Sequence, residues 1–192
     1  MKKSILLFAV LLVSTAWAAT LQILTVDQMT ATASAIVQGK IVASHADWIN
    51  GKGSLIYTSY TVQADSYLKG NLGRTFQLIE PGGQVDPIVA TVPGAPVFHV
   101  GEQVVLFIQT DGPKNFHQAI GYEQGVFRVR PDPVTGALTV NHSQPLANAG
   151  QIVASDELPN LVTGSRTSRN LNELLSQIGD SVRRAAAKKG VQ

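Results

Sequence analysis

The stretch Val104-Val105-Leu106-Phe107-Ile108 is apolar at every one of its positions. Successive side chains of a strand project to opposite faces, so a run of this kind is typical of a strand that is buried on both faces. We therefore predict that residues 104–108 form the central strand of the fold, with other elements packed on each side of it.

Two segments upstream alternate between apolar and polar residues, as half-buried strands do. In residues 35–45 the odd positions from 35 to 43 are small or apolar, and in residues 56–68 the even positions hold most of the apolar side chains. The glycine-rich turn sequence 50–53 separates them. We expect a long, curved hairpin, with Gly39 marking a bulge or bend.

Shorter strands are predicted in the rest of this region, because Pro and Gly turns separate further apolar segments. Their predicted ranges are 75–79, 88–92, 120–130 with a break near Gln124-Gly125, and 137–140 after the turn 132–136. Residues 141–169 are polar and poorly periodic, and no regular element is predicted there.

Two helices are predicted at the ends of this β region. Thr25 and Gln28 have the spacing of a capping box, which predicts a short helix from Val26 to about Thr32. A second helix begins near Asn170, and one apolar stripe along it must pack on another part of the protein. The stripe consists of Leu171, Leu174, Leu175, Ile178 and Val182. The sequence thus predicts a mainly β (α+β) protein.

The N-terminus has the three parts of a secretory signal peptide. Two lysines precede the apolar run 5–13, and small residues occupy positions 16 and 18. We expect a signal peptide over residues 1–18, cleavage before Ala19, and a periplasmic or secreted protein. The apolar run is shorter than the roughly 20 residues that span a bilayer, so no integral membrane segment is expected after cleavage.

The chain contains no cysteine, which excludes disulfides and the lipid-modified cysteine of a lipoprotein. Roughly 170 residues remain after cleavage, enough for one core without covalent cross-links. We expect residues 19–160 to form one β-barrel domain. Residues 161–192 should form a linker, the C-terminal amphipathic helix and a basic tail.

Charge is unevenly distributed in the expected mature chain. Residues 19–160 hold seven basic and eleven acidic side chains, and residues 161–192 hold six basic and two acidic. The simplest interpretation is that the basic residues complement the negative end of the C-terminal helix dipole. Alternatively, the tail docks on the acidic body or makes weak contact with an anionic surface. The acidic body argues against nucleic acid as a partner.

The segments 35–42, 67–70 and 100–108 together resemble a known pattern. The strand Ala35-Ile-Val-Gln-Gly-Lys-Ile-Val42, the strand end Tyr67-Leu-Lys-Gly70 and the run Val100-Gly-Glu-Gln-Val-Val-Leu-Phe-Ile108 are similar to the netrin-like module of the tissue inhibitors of metalloproteinases. They also resemble uncharacterised secreted bacterial domains of that type. The resemblance implies a small OB-like β-barrel with flanking helices. The inhibitors chelate the metal of a protease through an N-terminal cysteine, so their inhibitory residue has no counterpart in this chain.

The histidine, serine and glycine residues of the chain form none of the common catalytic or metal-binding motifs. The chain has four histidines, but the helical His-Glu-x-x-His arrangement that binds zinc is absent. The Gly-x-Ser-x-Gly nucleophile motif is also absent, and Pro81-Gly82-Gly83 lacks the lysine spacing of a phosphate-binding loop. We therefore expect no catalytic residue, no metal site and no cofactor.

Aromatic residues are the remaining binding candidates. OB-like barrels often bind oligomers on the face of their middle strands. Trp48, Tyr57 and Tyr67 are candidates, and the alternation of residues 56–68 places both tyrosines on the outer face. Ordinary packing under the C-terminal helix is the alternative role for these side chains.

The sequence favours an exported, non-enzymatic binding or interaction domain. Its partner would be an unknown protein or an envelope glycan. Two alternatives stay open: a secreted protease inhibitor that acts by a steric mode, and a hydrolase whose site is assembled from residues dispersed along the chain.

Overall fold

The computed structural model describes residues 23–112, 115–143 and 166–189. The expected signal peptide lies outside the described residues. The elements in the described part have the following bounds: α1 Val26–Thr32, β1 Ala35–Trp48, β2 Ile56–Lys69, β3 Thr75–Pro81, β4 Gly83–Val85, β5 Ile88–Ala90, β6 Gln103–Asp111, β7 Phe116–Ala119, a 3₁₀ helix Tyr122–Gly125, β8 Val126–Pro131, β9 Leu138–Ser143, β10 Arg166–Asn170 and α2 Leu171–Lys189.

The strands form one antiparallel sheet and a separate hairpin. The sheet order is β10-β9-β8-β6-β1-β2-β3, and β8 and β7 share one edge of β6, pairing with its first and second halves. β4 and β5 pair with each other. The prediction of a mainly β protein with two helices is confirmed. Among the described residues the backbone ladder has open ends at β3 and β10.

β6 is the central strand, as its sequence predicts. Val104, Leu106 and Ile108 are buried in a core on one face of the sheet, which we call the inner face. Val105 and Phe107 are buried in a second core on the outer face, beneath the helices. A run that is apolar at every position is therefore required, because each face of this strand has its own apolar surroundings.

β1 and β2 form the predicted long hairpin, and irregularities in their pairing bend it. The register shifts between Gln38 and Gly39, so that Asp65 has no partner opposite it. Gly39 is required at this bend, because a Cβ atom there would lie 2.4 Å from the carbonyl oxygen of Gln63. The predicted bulge at Gly39 is confirmed.

Both helices pack on the outer face of the sheet. α1 begins with the predicted capping box: the Thr25 hydroxyl accepts a hydrogen bond from the Gln28 amide, and the Gln28 side chain accepts one from the Thr25 amide. α2 buries Leu171, Leu174 and Ile178 in the same core as Met29 of α1. The predicted apolar stripe of the second helix is confirmed.

The prediction of a strand that begins at residue 120 is wrong. Residues 122–125 form a 3₁₀ helix, because Gly121 and Tyr122 have φ angles of 60° and 59°, which no strand contains. The strand predicted to begin at residue 120 is therefore β8, which begins at Val126. The first half of the predicted strand is instead a tight turn that follows β7.

Three further strands were not predicted. Residues 83–85 form β4 because they pair with residues 88–90, and residues 116–119 form β7 because they pair with the second half of β6. Residues 166–170, of which 166–169 were expected to be irregular, form β10 because they pair with β9 at the end of the sheet. All three strands are polar or very short, so none shows hydrophobic periodicity.

One basic residue of the C-terminal helix docks on the acidic body. Arg184 forms an ion pair with Asp27 of α1, with 2.7 Å between Nη2 and Oδ1. Asp27 also bonds the Ser181 hydroxyl of α2. Arg183, by contrast, pairs with Asp180 of its own helix. The interpretation that the tail contacts the body thus holds for Arg184.

Candidate functional site

A cleft of about 570 Å³ is lined by residues of β2, β3, β5, β6, β7 and the 3₁₀ helix. We call it the Glu80 cleft. Its volume falls within the range of about 300–1,000 Å³ that is usual for small-ligand sites. Its lining residues are Leu55, Ile56, Tyr57, Glu80, Pro81, Ala90, Val92, Gln109, Gln118, Ala119, Gly121 and Tyr122.

Glu80 is the buried acidic group of this cleft. It follows Phe76 and Leu78 at alternate positions of β3, so its side chain lies on the same inner face as theirs. Only 2% of the residue is exposed. Its Oε1 accepts a hydrogen bond of 2.7 Å from the amide of Ala119 in β7, and this is the only hydrogen bond to the carboxyl group from the described residues.

Burial changes the ionisation of Glu80. Its pKa is raised from the ordinary 4.5 to about 8, mainly by desolvation; the hydrogen bond from the Ala119 amide lowers it, and the nearby carboxylate of Glu123 adds a smaller upward shift. At neutral pH the carboxyl group is therefore mainly protonated. A protonated carboxyl donates a hydrogen bond as well as accepting one.

Two glutamines are among the lining residues. Gln109 of β6 and Gln118 of β7 are directly opposite each other in the antiparallel ladder, and both side chains are half-buried. Gln109 continues the alternation of Val105 and Phe107, so this pair lies on the face of the sheet opposite to that of Glu80.

Two tyrosines are among the lining residues. Tyr57 lies opposite Pro81 in the pairing of β2 with β3 and is half-buried. Tyr122 begins the 3₁₀ helix with a φ of 59° and is 37% exposed. A left-handed backbone is unusual for a bulky residue, and strain of this kind concentrates at functional sites.

An ion-pair network holds the 3₁₀ helix beside the cleft. Arg128 of β8 bonds both carboxylate oxygens of Glu123, at 2.6 and 2.9 Å, and also pairs with Glu102 at 3.0 Å. Its guanidinium carbon lies 5.6 Å from the ring centre of Phe98. The network neutralises Glu123 and fixes the residue that follows Tyr122.

The three sequence-predicted binding residues are not brought together. Tyr57 lines the Glu80 cleft, whereas Trp48, the last residue of β1, lies opposite Ile56 and is absent from the lining. The placement of Tyr67 on the outer face is wrong. The bulge at Asp65 shifts the alternation, so Tyr67 packs against the inner core and its hydroxyl donates to the Gly73 carbonyl.

Sequence reasoning missed the other polar groups of the cleft. Glu80 had a detectable signal, because it continues the inward alternation of Phe76 and Leu78 with a charged residue. No signal in the sequence identified Gln109 and Gln118, because their proximity depends on the pairing of β6 with β7. Tyr122 was assigned to a strand, which concealed its strained backbone.

The histidines with described partners have structural contacts. His117 bonds the Thr110 hydroxyl, and His142 bonds the Gln124 carbonyl and stacks on Phe127. Burial lowers the pKa of both. No group of three potential metal ligands occurs among the described residues. None of the described helices is long and apolar enough to cross a membrane.

Comparisons with known protein families, with curated proteins and with solved structures found no match.

Proposed function

We propose that this chain is an exported, non-enzymatic binding domain and that the Glu80 cleft is its ligand site. The observation that carries the proposal is the buried carboxyl group of Glu80 within a cleft of small-ligand size. Burying an acid lowers the stability of a fold, and such groups concentrate at functional sites. The strained Tyr122 on the same cleft supports this proposal independently.

An OB-like barrel is part of the proposal. Side chains join the two strand edges that the backbone ladder leaves apart: Glu80 of β3 bonds Ala119 of β7, and the rings of Phe76 and His117 lie 6.0 Å apart. These contacts support a barrel whose seam between β3 and β7 is closed by side chains. The likeness of the sequence to netrin-like modules points to the same architecture.

Binding is favoured over catalysis by the state of the neighbouring acid. Hydrolysis of a glycoside ordinarily requires two carboxyl groups, one protonated and one ionised. Glu123, the acid whose charge influences Glu80, is engaged on both oxygens by Arg128. It is therefore not available as a second catalytic carboxylate.

A hydrolase is the second candidate, because Glu80 has the raised pKa of a general acid. Chromogenic glycosides and esters at pH 6 and 8 test this possibility. If the native protein turns over a substrate and Glu80→Gln abolishes this turnover, the enzymatic proposal replaces the binding proposal. Equal background rates for both proteins support binding alone.

A second experiment tests whether the Glu80 cleft binds small ligands. NMR spectra of ¹⁵N-labelled residues 19–192 are recorded with a library of small polar and aromatic fragments. We expect fragments to shift the amide resonances of cleft residues, and Ala90→Trp to abolish these shifts. Val134→Trp, at a site that is 91% exposed on the turn between β8 and β9, is the matched control and should retain them. A library that leaves the cleft resonances unmoved would contradict the proposal.

A further inference from the structure

A second pocket, of about 250 Å³, lies on the outer face of the sheet beside the start of α1. We call it the Arg169 pocket. Its lining residues are Ile23, Leu24, Thr25, Val26, Met29, Phe127, Val140, His142 and Arg169. It shares no residue with the Glu80 cleft. Its volume is just below the usual range of about 300–1,000 Å³, so it suits a small ligand.

Strand pairing brings the polar and apolar side chains of this pocket to one face. Phe127 is opposite His142 in the pairing of β8 with β9, and Val140 is opposite Arg169 in the pairing of β9 with β10. Directly opposite residues share a face, and Phe127 and Val140 are both buried in the outer core. The rings of Phe127 and His142 stack with 4.4 Å between their centres. The guanidinium carbon of Arg169 lies 5.9 Å from the ring centre of Phe127, so a cation borders an apolar pocket.

Arg169 has no carboxylate partner within the described part of the chain, where it takes part in none of the ion pairs. Its Nη1 donates to the neutral side-chain amide of Gln177 at 2.7 Å, while its Nη2 is buried without a hydrogen-bond partner from the described residues. Desolvation lowers the pKa of the guanidinium, and the charge of Glu173 offsets only part of this effect. A half-buried cation of this kind is costly unless an anion compensates it.

Arg128 is a second half-buried arginine with the opposite arrangement. It bonds Glu123 at 2.6 and 2.9 Å and Glu102 at 3.0 Å. Desolvation lowers the pKa of Arg128, yet these two carboxylates raise it overall above its ordinary value. Both arginines lie against a phenylalanine ring, but Arg169 lacks the carboxylates. An anion in the pocket would give Arg169 the compensation that Glu102 and Glu123 give Arg128.

The rest of the lining indicates what kind of anion fits. No acidic residue lines the pocket, and Thr25 and His142 are its other polar residues. Desolvation lowers the pKa of His142, so at pH 7.5 its ring is uncharged, and its Nε2 donates to the Gln124 carbonyl. Arg169 is then the one cation in a lining that is mostly apolar. A strongly hydrated anion gains nothing from such walls, whereas an anion with an apolar body buries that body against them.

We propose that the Arg169 pocket binds a small apolar carboxylate, whose oxygens accept hydrogen bonds from the guanidinium of Arg169 and whose hydrocarbon part packs against Met29, Phe127 and Val140. Hydrogen bonds between arginine and a carboxylate are about twice as strong as those between neutral groups. This is a second site, independent of the Glu80 cleft. Its failure would leave the proposed function unchanged.

The experiment titrates ¹⁵N-labelled residues 19–192 at pH 7.5 with four probes that separate charge from shape. 3-Phenylpropionate has an apolar body and a carboxylate, and 3-phenylpropanamide has the same shape without the charge. 3-Phenylpropylammonium is the corresponding cation, and acetate is an anion without the apolar body. We expect 3-phenylpropionate to shift the amide resonances of Val140, His142 and Arg169. It should bind about tenfold or more tightly than each of the other three probes, because a hydrogen bond to a charged group is stronger than one to a neutral group.

Arg169→Gln removes the cation and should abolish the preference for 3-phenylpropionate over its amide. Arg183→Gln is the matched control, because Arg183 is exposed and pairs with Asp180 of its own helix, and it should keep the preference. Arg169→Lys retains the charge without the planar fork of the guanidinium. It should keep a reduced preference, and it tests the proposal even if Arg169→Gln does not fold.

Three results would overturn the proposal. The first is any other probe that binds the native protein as tightly as 3-phenylpropionate, which would leave the pocket without selectivity for an apolar anion. The second is a preference for the carboxylate that persists in Arg169→Gln or is absent from Arg169→Lys. The third is a titration with 3-phenylpropionate that leaves the resonances of Val140, His142 and Arg169 unmoved. In each case the fragment shifts in the Glu80 cleft still decide the proposed function.

Discussion

The two buried faces of the sheet are built differently. The outer face beneath α1 and α2 is packed with apolar side chains such as Phe107 and Leu174, which need no polar partners. The inner face begins with an equally apolar core but ends in a cleft with the buried Glu80 and the strained Tyr122. The outer face thus stabilises the fold, whereas the cleft contains features that lower stability and that a binding site would explain.

The largest expected effect is the pH-dependent loss of stability caused by Glu80. Its pKa is raised from 4.5 to about 8 by folding, so below about pH 4.5 the acid is protonated in both states and imposes no cost. As pH rises towards 8, ionisation favours the unfolded chain, and above 8 the loss becomes complete, at roughly 5 kcal/mol. Glu80→Gln should therefore be more stable than the native protein at pH 8 by about this amount.

The measurement is urea unfolding of both proteins at intervals from pH 5 to pH 9. The difference in unfolding free energy should widen up to about pH 8 and then stay constant. Parallel curves for the two proteins would show that Glu80 imposes no such cost, and the contrast between the two faces would lose its main support.

The next effect tests the outer face. Leu174 is fully buried between α2 and the sheet, so Leu174→Ala should lower the unfolding free energy by about 2–5 kcal/mol at any pH between 5 and 9. Ser176→Ala, at an exposed position of the same helix, is the control and should change little. A loss below 1 kcal/mol for Leu174→Ala would mean that α2 contributes little to the stability of the outer face.

A smaller effect tests the strain at Tyr122. Tyr122→Gly accepts the φ of 59° without a steric cost, so we expect stability to rise by about 1 kcal/mol while ligand binding in the cleft is lost. Asn115→Gly is the control, because Asn115 has a φ of 51° in a turn outside the cleft. It should leave binding intact. Loss of stability in Tyr122→Gly would indicate that the ring packs structurally.

Most of the outer face could be predicted from the sequence. Periodicity identifies the β1–β2 hairpin and the stripe of α2, and the capping-box spacing of Thr25 and Gln28 identifies α1. These features are local, and burial follows from them directly. The fully apolar run of β6 even predicts that the sheet must be covered on both faces.

The cleft could be predicted only in part. Tyr57 was identified from its aromatic ring, but its neighbours in the cleft come from β3, β6, β7 and the 3₁₀ helix, whose spacing in the chain carries no motif. Two non-local features decide their meeting: the pairing of β6 with β7, and the hydrogen bond from Ala119 to Glu80. The bulge at Asp65 also reversed the face of Tyr67, since one unpaired residue shifts every side chain beyond it.

The smallest expected effect concerns the charges between the two helices. Arg184 and Asp27 are each more than half exposed, and ion pairs of this kind contribute about 0.2–1 kcal/mol. Arg184→Ala should lower the unfolding free energy by no more than this, and 1 M NaCl should remove the difference. Arg183→Ala is the control, since Arg183 pairs within its own helix. A cost from Arg184→Ala that matched that of Leu174→Ala would mean that charge holds α1 to α2 and that the outer face is not stabilised by apolar packing alone.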